Sequence, residues 1–112
     1  MIKGSFVLTG FATMQTARMR QIRTEIEREL CTAFKGFTCY EGHGGFMKNY
    51  ELITMEQATY TCVFRDLPDN VDLFLGIAVK ACRQTQQESI LVSIKDEYRF
   101  ATRYHNGWEE VI

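Results

Sequence analysis

Tyr40, Glu41, Tyr50, Glu51 and Glu56 bring phenols and carboxylates to one short stretch of chain. Carboxylates accept hydrogen bonds from ribose hydroxyls or face a positive centre, and aromatic rings attract cations. Together the five describe a rim for a cationic, hydroxyl-bearing ligand, although each taken singly reads as a solvated strand end. Between them runs Gly42-His43-Gly44-Gly45-Phe46-Met47-Lys48-Asn49-Tyr50. This segment is too glycine-rich to pack as a regular element and too aromatic to be a mere linker, which makes it the candidate functional loop. It lacks the Lys-Ser/Thr pair of a P-loop and opens no helix, so it does not read as a phosphate cradle. His43 and His105 lie far apart, no metal-ligand spacing is present, and no metal is expected. No serine stands in a GxSxG setting, and no catalytic cysteine–histidine signature is present, so nothing supports a covalent nucleophile.

These residues need elements to position them. Ser5 to Phe11 is a β-rich run ending beside Gly10, expected as strand one. Thr13 can cap a helix whose apolar residues Met19, Ile22, Ile26 and Leu30 recur at spacings of three and four, and Lys35-Gly36 should end it. Phe37 to Glu41 reads as strand two. Glu51 to Thr54 extends a strand out of the sheet, and Thr59 to Phe64 is strand three. Leu67-Pro68-Asp69-Asn70 is a turn and cap before a second helix with Leu73, Phe74, Ile77, Ala78, Ala81 and Cys82 on its apolar face. Ser89 to Ile94 is strand four; a last short strand around Tyr98 to Ala101 and Trp108, expected against a neighbouring subunit, has only a weak pattern.

Two helices linking strands in this order predict an α+β, ferredoxin-like βαββαβ sandwich, a four-stranded antiparallel sheet with both helices on one face. The other face would lie bare with Val7, Tyr60 or Val63 on it, and burying it between copies of the chain, as a trimer, is the expected solution.

The chain has 112 residues, 46% of them apolar, the size of one domain. Thirteen basic residues against fourteen acidic ones leave a net charge of -1, which gathers neither nucleic acid nor an anionic membrane. No apolar run approaches the ~18 residues of a membrane span. Cys31, Cys39, Cys62 and Cys82 form no CxxC pair and read as free thiols of a cytoplasmic protein.

Three stretches carry a resemblance. Ala81-Cys82, then Gln87-Glu88, then Ile90-Leu91-Val92 reproduce without a gap the pattern Ala-Cys, four residues, Gln-acid, one residue, aliphatic-Leu-Val. Phe6-Val7-Leu8 fits a first strand, and Gly36-Phe37 with Glu41 fits a glycine-aromatic-strand-glutamate stretch. Glu56 and the strand Thr59 to Val63 fit an acid followed by a Thr-Val-rich strand. From Ser5 to Val92 the chain resembles the phage-encoded S-adenosylmethionine (SAM) lyases, formerly called SAM hydrolases, which are similar in fold to the trimeric PII-like proteins. The resemblance implies a homotrimer with ligand sites between subunits and SAM as substrate, with no cofactor. It implies cleavage to 5′-methylthioadenosine and L-homoserine lactone, in a phage counter-defence role. A glutamate, Glu51 or Glu56, would bind ribose hydroxyls or the cationic end, and a tyrosine, Tyr40 or Tyr50, would position the methionyl group. The hairpin differs in length from the family's, so Tyr40 with Glu51 and Tyr50 with Glu56 both remain open. Val7 and Leu8 would hold adenine edges through their backbone, with Glu41 as a further substrate contact. A PII-like sensor or an inhibitor acting by protein contact are the other readings.

Overall fold

The computed structural model describes residues 1–9 and 17–102, and the backbone of 108–110. Alternation along the first strand sets the layers. β1 (Ile2–Thr9) buries Gly4, Phe6 and Leu8 on one face and turns Lys3, Ser5, Val7 and Thr9 to the other. α1 (Ala17–Phe34) follows, with Met19, Ile22, Ile26 and Leu30 buried as their spacing predicts. Its expected cap, Thr13, lies outside the described residues, as do Gly10 and Phe11 of the expected first strand. The helix stops one residue before the expected glycine, because Lys35 takes the left-handed conformation (φ 69°) and donates its N–H to the Cys31 carbonyl at 2.8 Å.

β2 (Thr38–Lys48) and β3 (Glu51–Phe64) form one long hairpin, in register from Thr38↔Thr61 to Lys48↔Glu51. The glycine segment is therefore strand and not loop. Asn49 and Tyr50 make a two-residue turn with both φ values positive (51° and 65°), the geometry that matches strand twist. Glycine also has a steric reason here: a Cβ at Gly44 would lie 2.3 Å from Nε2 of Gln57, whose amide crosses that position.

α2 (Pro68–Gln84) starts with Leu67 as cap residue and Pro68 in its first turn, where the missing N–H costs nothing. Phe74, Ile77, Ala78, Ala81 and Cys82 are buried as expected, but Leu73 is 47% exposed at the edge of the groove between the helices. β4 (Ser89–Ile94) keeps its expected bounds. Lys95 and Asp96, both at positive φ, then return the chain onto the free edge of β4 as β5 (Glu97–Thr102), and β6 (Trp108–Glu110) pairs with β5. The tail thus extends the sheet of its own protomer, and among the described residues the expected four strands become six, all antiparallel, in the order β2-β3-β1-β4-β5-β6. The first four keep the ferredoxin-like order, with α1 on β3 and α2 on β1, β4 and β5.

Tyr60 is a second correction. The register Phe6↔Tyr60 sets it under the helices, fully buried and stacked on Phe6 at 5.5 Å between centroids, while Val7 and Val63 do lie on the uncovered face. Its hydroxyl makes this burial affordable, donating to Glu27 Oε2 at 2.9 Å and accepting from Arg23 Nε at 3.0 Å. Among the described residues no helix is long and apolar enough to cross a membrane, and the four cysteines are unpaired.

The aromatic core needs a glycine in β1. A Cβ at Gly4 would stand 2.8 Å from Phe74 and 3.0 Å from Phe64, two rings packed 5.4 Å apart. Gly4→Ala is expected to cost about 1–3 kcal/mol, read as a lower urea midpoint with unchanged slope.

Candidate functional site

The hydrogen-bonded ladder between β1 and β4 runs through Gly4↔Ile94, Ser5↔Ser93 and Phe6↔Val92 and stops there. β1 continues to Thr9 against β3, and β4 begins at Ser89, so the two strands part at Val7. A side chain bridges the mouth of this fork: Gln87 Oε1 accepts from the Thr9 hydroxyl at 2.9 Å and from the Thr9 N–H at 3.4 Å, and its Nε2 donates to Thr85 Oγ1 at 2.9 Å. Thr85, itself buried, donates to the Ala81 carbonyl at 2.7 Å. The end of α2 is built to deliver Gln87. Its N–H donates to the Cys82 carbonyl and its carbonyl accepts from the Cys82 thiol, both at 3.1 Å, after Gln86 has turned through φ 58°. The spacing from Ala81-Cys82 to Gln87-Glu88 is thus that of a helix end folded back onto the sheet.

The fork opens into a cavity of about 500 Å³ on the uncovered face of the sheet. Phe46 and Met55 of the hairpin, Leu91 of β4 and Phe100 of β5 supply apolar walls, with Val7 between the strands. Thr9, Gln57, Gln87, Glu88 and Ser89 supply polar groups. Apolar walls with a few convergent polar groups are the usual make-up of a small-molecule site.

The residues singled out from the sequence are distributed over this frame. Val7 lines the cavity. Leu8 is fully buried on the helix-covered face, paired with Ala58 of β3. Tyr40, 66% exposed, stands opposite Thr59 on the uncovered face, roughly 26 Å along the ribbon from Glu51 near the tip. Tyr50 is fully exposed in the turn, and Glu56 lies roughly 20 Å back along β3, opposite His43. Its Oε1 is 3.4 Å from His43 Nδ1. Neither tyrosine–glutamate pair meets within one protomer.

Glu41 faces the helix side, where its Oε1 accepts from Arg23 at 2.9 Å. Arg23 ties together both strands of the hairpin base, through Tyr60 Oη, Glu41 and the Cys39 sulfur at 3.5 Å. Burial works against its charge, but the bonds to Tyr60 and Glu41 outweigh that and hold the guanidinium above its ordinary pKa. Burial likewise raises the Tyr60 phenol, the Arg23 bond opposing and Glu27 adding to the effect. This cluster braces the hairpin from the side opposite the cavity.

The sequence reading overlooked Phe46, Met55 and Gln57 as walls, and the roles of Gln87 and Glu88. Gln87-Glu88 stood in plain view in the Ala-Cys motif. The hairpin residues follow from parity, since Phe46, Met55 and Gln57 share the face of Val7 and Thr9 once the glycines are read as strand.

No protein-family profile matches the sequence, and no curated protein matches it. The fold is similar to that of a phage SAM lyase in complex with S-methyl-5′-thioadenosine, at a TM-score of 0.68 and 9% identity, over 90% of this chain and 88% of the other. It is equally similar to a phage SAM lyase in the apo state, at a TM-score of 0.70 and 10% identity over the same shares. The resemblance read from the Ala81-Cys82 element is thus met at the level of fold.

Gln87→Leu removes both bonds to Thr9. It is expected to cost about 1–2 kcal/mol and to speed hydrogen exchange of the Thr9 amide while leaving exchange in α1 unchanged, measured by NMR.

Proposed function

We propose that this protein cleaves S-adenosylmethionine to 5′-methylthioadenosine and L-homoserine lactone, with the nucleoside end held in the β1–β4 fork. The observation that carries this reading is the cavity of about 500 Å³, walled by aromatic and apolar side chains and edged by Gln87 and Glu88, on a fold shared with a lyase solved with S-methyl-5′-thioadenosine.

In the reaction an oxygen of the substrate's own carboxylate attacks the carbon two bonds from Cα, next to the sulfonium. A C–O bond forms, the C–S bond breaks, and its electron pair goes to sulfur, which leaves as a neutral thioether. No proton moves and no water enters, so atoms and charge balance within one molecule. The protein's task is to fold the methionyl arm into attacking geometry, and positioning of this kind is worth up to about 7–11 kcal/mol in well-oriented intramolecular cases. In this reading Val7 and the backbone of Leu8 border the base, Phe46 and Phe100 lie against rings or the cation, and Glu88 faces ribose hydroxyls or the positive sulfur. Glu51 or Glu56 and Tyr40 or Tyr50 come from a neighbouring copy, since neither pair assembles within one chain. Glu41 stays engaged with Arg23 at the hairpin base. Tyr50 fits such a role: a tyrosine at φ 65° occupies a position that favours glycine, and its ring is wholly exposed. The working unit is a homotrimer with its sites between subunits, acting in the host cytoplasm as a phage counter-defence.

Incubating the purified protein with SAM is expected to yield methylthioadenosine and homoserine lactone, followed by chromatography and proton NMR. Glu88→Gln, and whichever of Glu51→Gln and Glu56→Gln removes the site's carboxylate, should each slow SAM loss by about tenfold or more. Light scattering should give the mass of three chains. SAM bound but returned intact favours a sensor; SAM neither bound nor consumed sinks the nucleoside reading, and a monomer sinks the shared site.

A further inference from the structure

A second, smaller cavity of about 180 Å³ adjoins the fork on the same uncovered face, and the two share Val7 and Leu91. Its chemistry differs from that of the first. Lys3 and Asp96 both line it, with Ser5, Thr59, Ser93 and Tyr98 supplying hydroxyls. Among the described residues neither Lys3 nor Asp96 is in an ion pair, although Lys95, the residue before Asp96, is bound to Asp66. One cation and one anion that line the same small space without meeting each other are placed to bracket a ligand bearing both charges.

We propose that this cavity is the subsite for a zwitterionic α-amino-acid group, with Lys3 Nζ donating to its carboxylate and the Asp96 carboxylate accepting from its ammonium. The inference rests on the nucleoside reading of the fork and names which end of the ligand lies where. Lys3, Ser5, Val7 and Thr9 point the same way along β1, and Lys3 lies roughly 13 Å from Val7, a separation that the lysine side chain shortens. A ligand with its base at Thr9 and Gln87 would pass its sulfur over Val7 and Leu91, the two apolar side chains common to both cavities, and reach Lys3 and Asp96 with its amino-acid end. Fixing both charged groups of that end limits how the arm can fold, which makes Lys3 and Asp96 specificity residues for a ligand that retains its amino acid.

Two ligands separate this inference from the reading beneath it: S-adenosylhomocysteine, which carries the amino-acid group and is not cleaved in this way, and S-methyl-5′-thioadenosine, which lacks it. Titration calorimetry is expected to show Lys3→Met and Asp96→Asn each weakening S-adenosylhomocysteine by about tenfold, with binding of S-methyl-5′-thioadenosine unchanged. Both side chains are exposed, and circular dichroism should confirm that the variants fold. If wild-type and variant proteins bind S-adenosylhomocysteine alike, or if the variants lose both ligands equally, the amino-acid subsite is wrong while the nucleoside fork stands. A wild-type protein that binds neither ligand overturns the fork reading and this subsite with it.

Discussion

Everything in this structure depends on β1 being a central strand with two unlike faces. Phe6 and Leu8 must go under the helices, where they are wholly excluded from water; a strand's period of two then forces Val7 and Thr9 to the far side. The ladders on its two edges have different lengths. Pairing with β3 runs the full strand from Ile2↔Phe64 to Thr9↔Gln57, whereas pairing with β4 ends at Phe6↔Val92. A cavity opens where the second ladder gives out, and Gln87 supplies to Thr9 the acceptor that a continued β4 would have offered. The fork is therefore a satisfied feature of the sheet and not a fraying end.

The hairpin completes the same face. Because β2 and β3 stay in register to the turn, Phe46 and Met55 fall on the side of Val7, and Gln57 lies across Gly44 where no side chain obstructs it. On the other side the Arg23 guanidinium holds Tyr60, Glu41 and Cys39 together. Bracing on one face and a cavity on the other follow from one alternation, and one glycine of the segment that looked like flexibility, Gly44, leaves room for the Gln57 amide.

Much of this was legible in the sequence, and the failures share a cause. Helical spacing located Met19, Ile22, Ile26 and Leu30, and β-rich runs located β3 and β4, because burial of one stripe or one face leaves a periodic trace. Tyr60 was misplaced beside Val63, although a spacing of three within one strand sends the two to opposite faces; a phenol between threonines resembles surface until Arg23 and Glu27 are seen at its hydroxyl. The glycine segment was misread because propensity is local, while its strand state is imposed by pairing with Glu51 to Gln57. β5 was only weakly marked, since the turn before it uses Lys95 and Asp96 at positive φ without a glycine. The candidate site suffered most. Its walls come from the hairpin, the end of α2, β4 and β5, and only the register of the sheet brings these together.

The proposed chemistry and the proposed assembly bear on each other. In the cleavage of SAM a carboxylate and a sulfonium become an uncharged ester and an uncharged thioether, so these two opposite charges cancel as the transition state forms. Water stabilises the separated charges of the ground state more than the partly neutralised transition state, and removing it favours reaction. Both cavities lie on a sheet face that neither helix covers. One protomer can shape the ligand there through the fork, but it cannot dry it. A second copy laid over that face would exclude solvent from the sulfur and bring Tyr40, Tyr50, Glu51 or Glu56 to a ligand that they cannot reach as pairs within their own chain. A reaction that needs positioning and dryness, and no proton transfer, is the kind that a bare sheet face can support once another copy closes it.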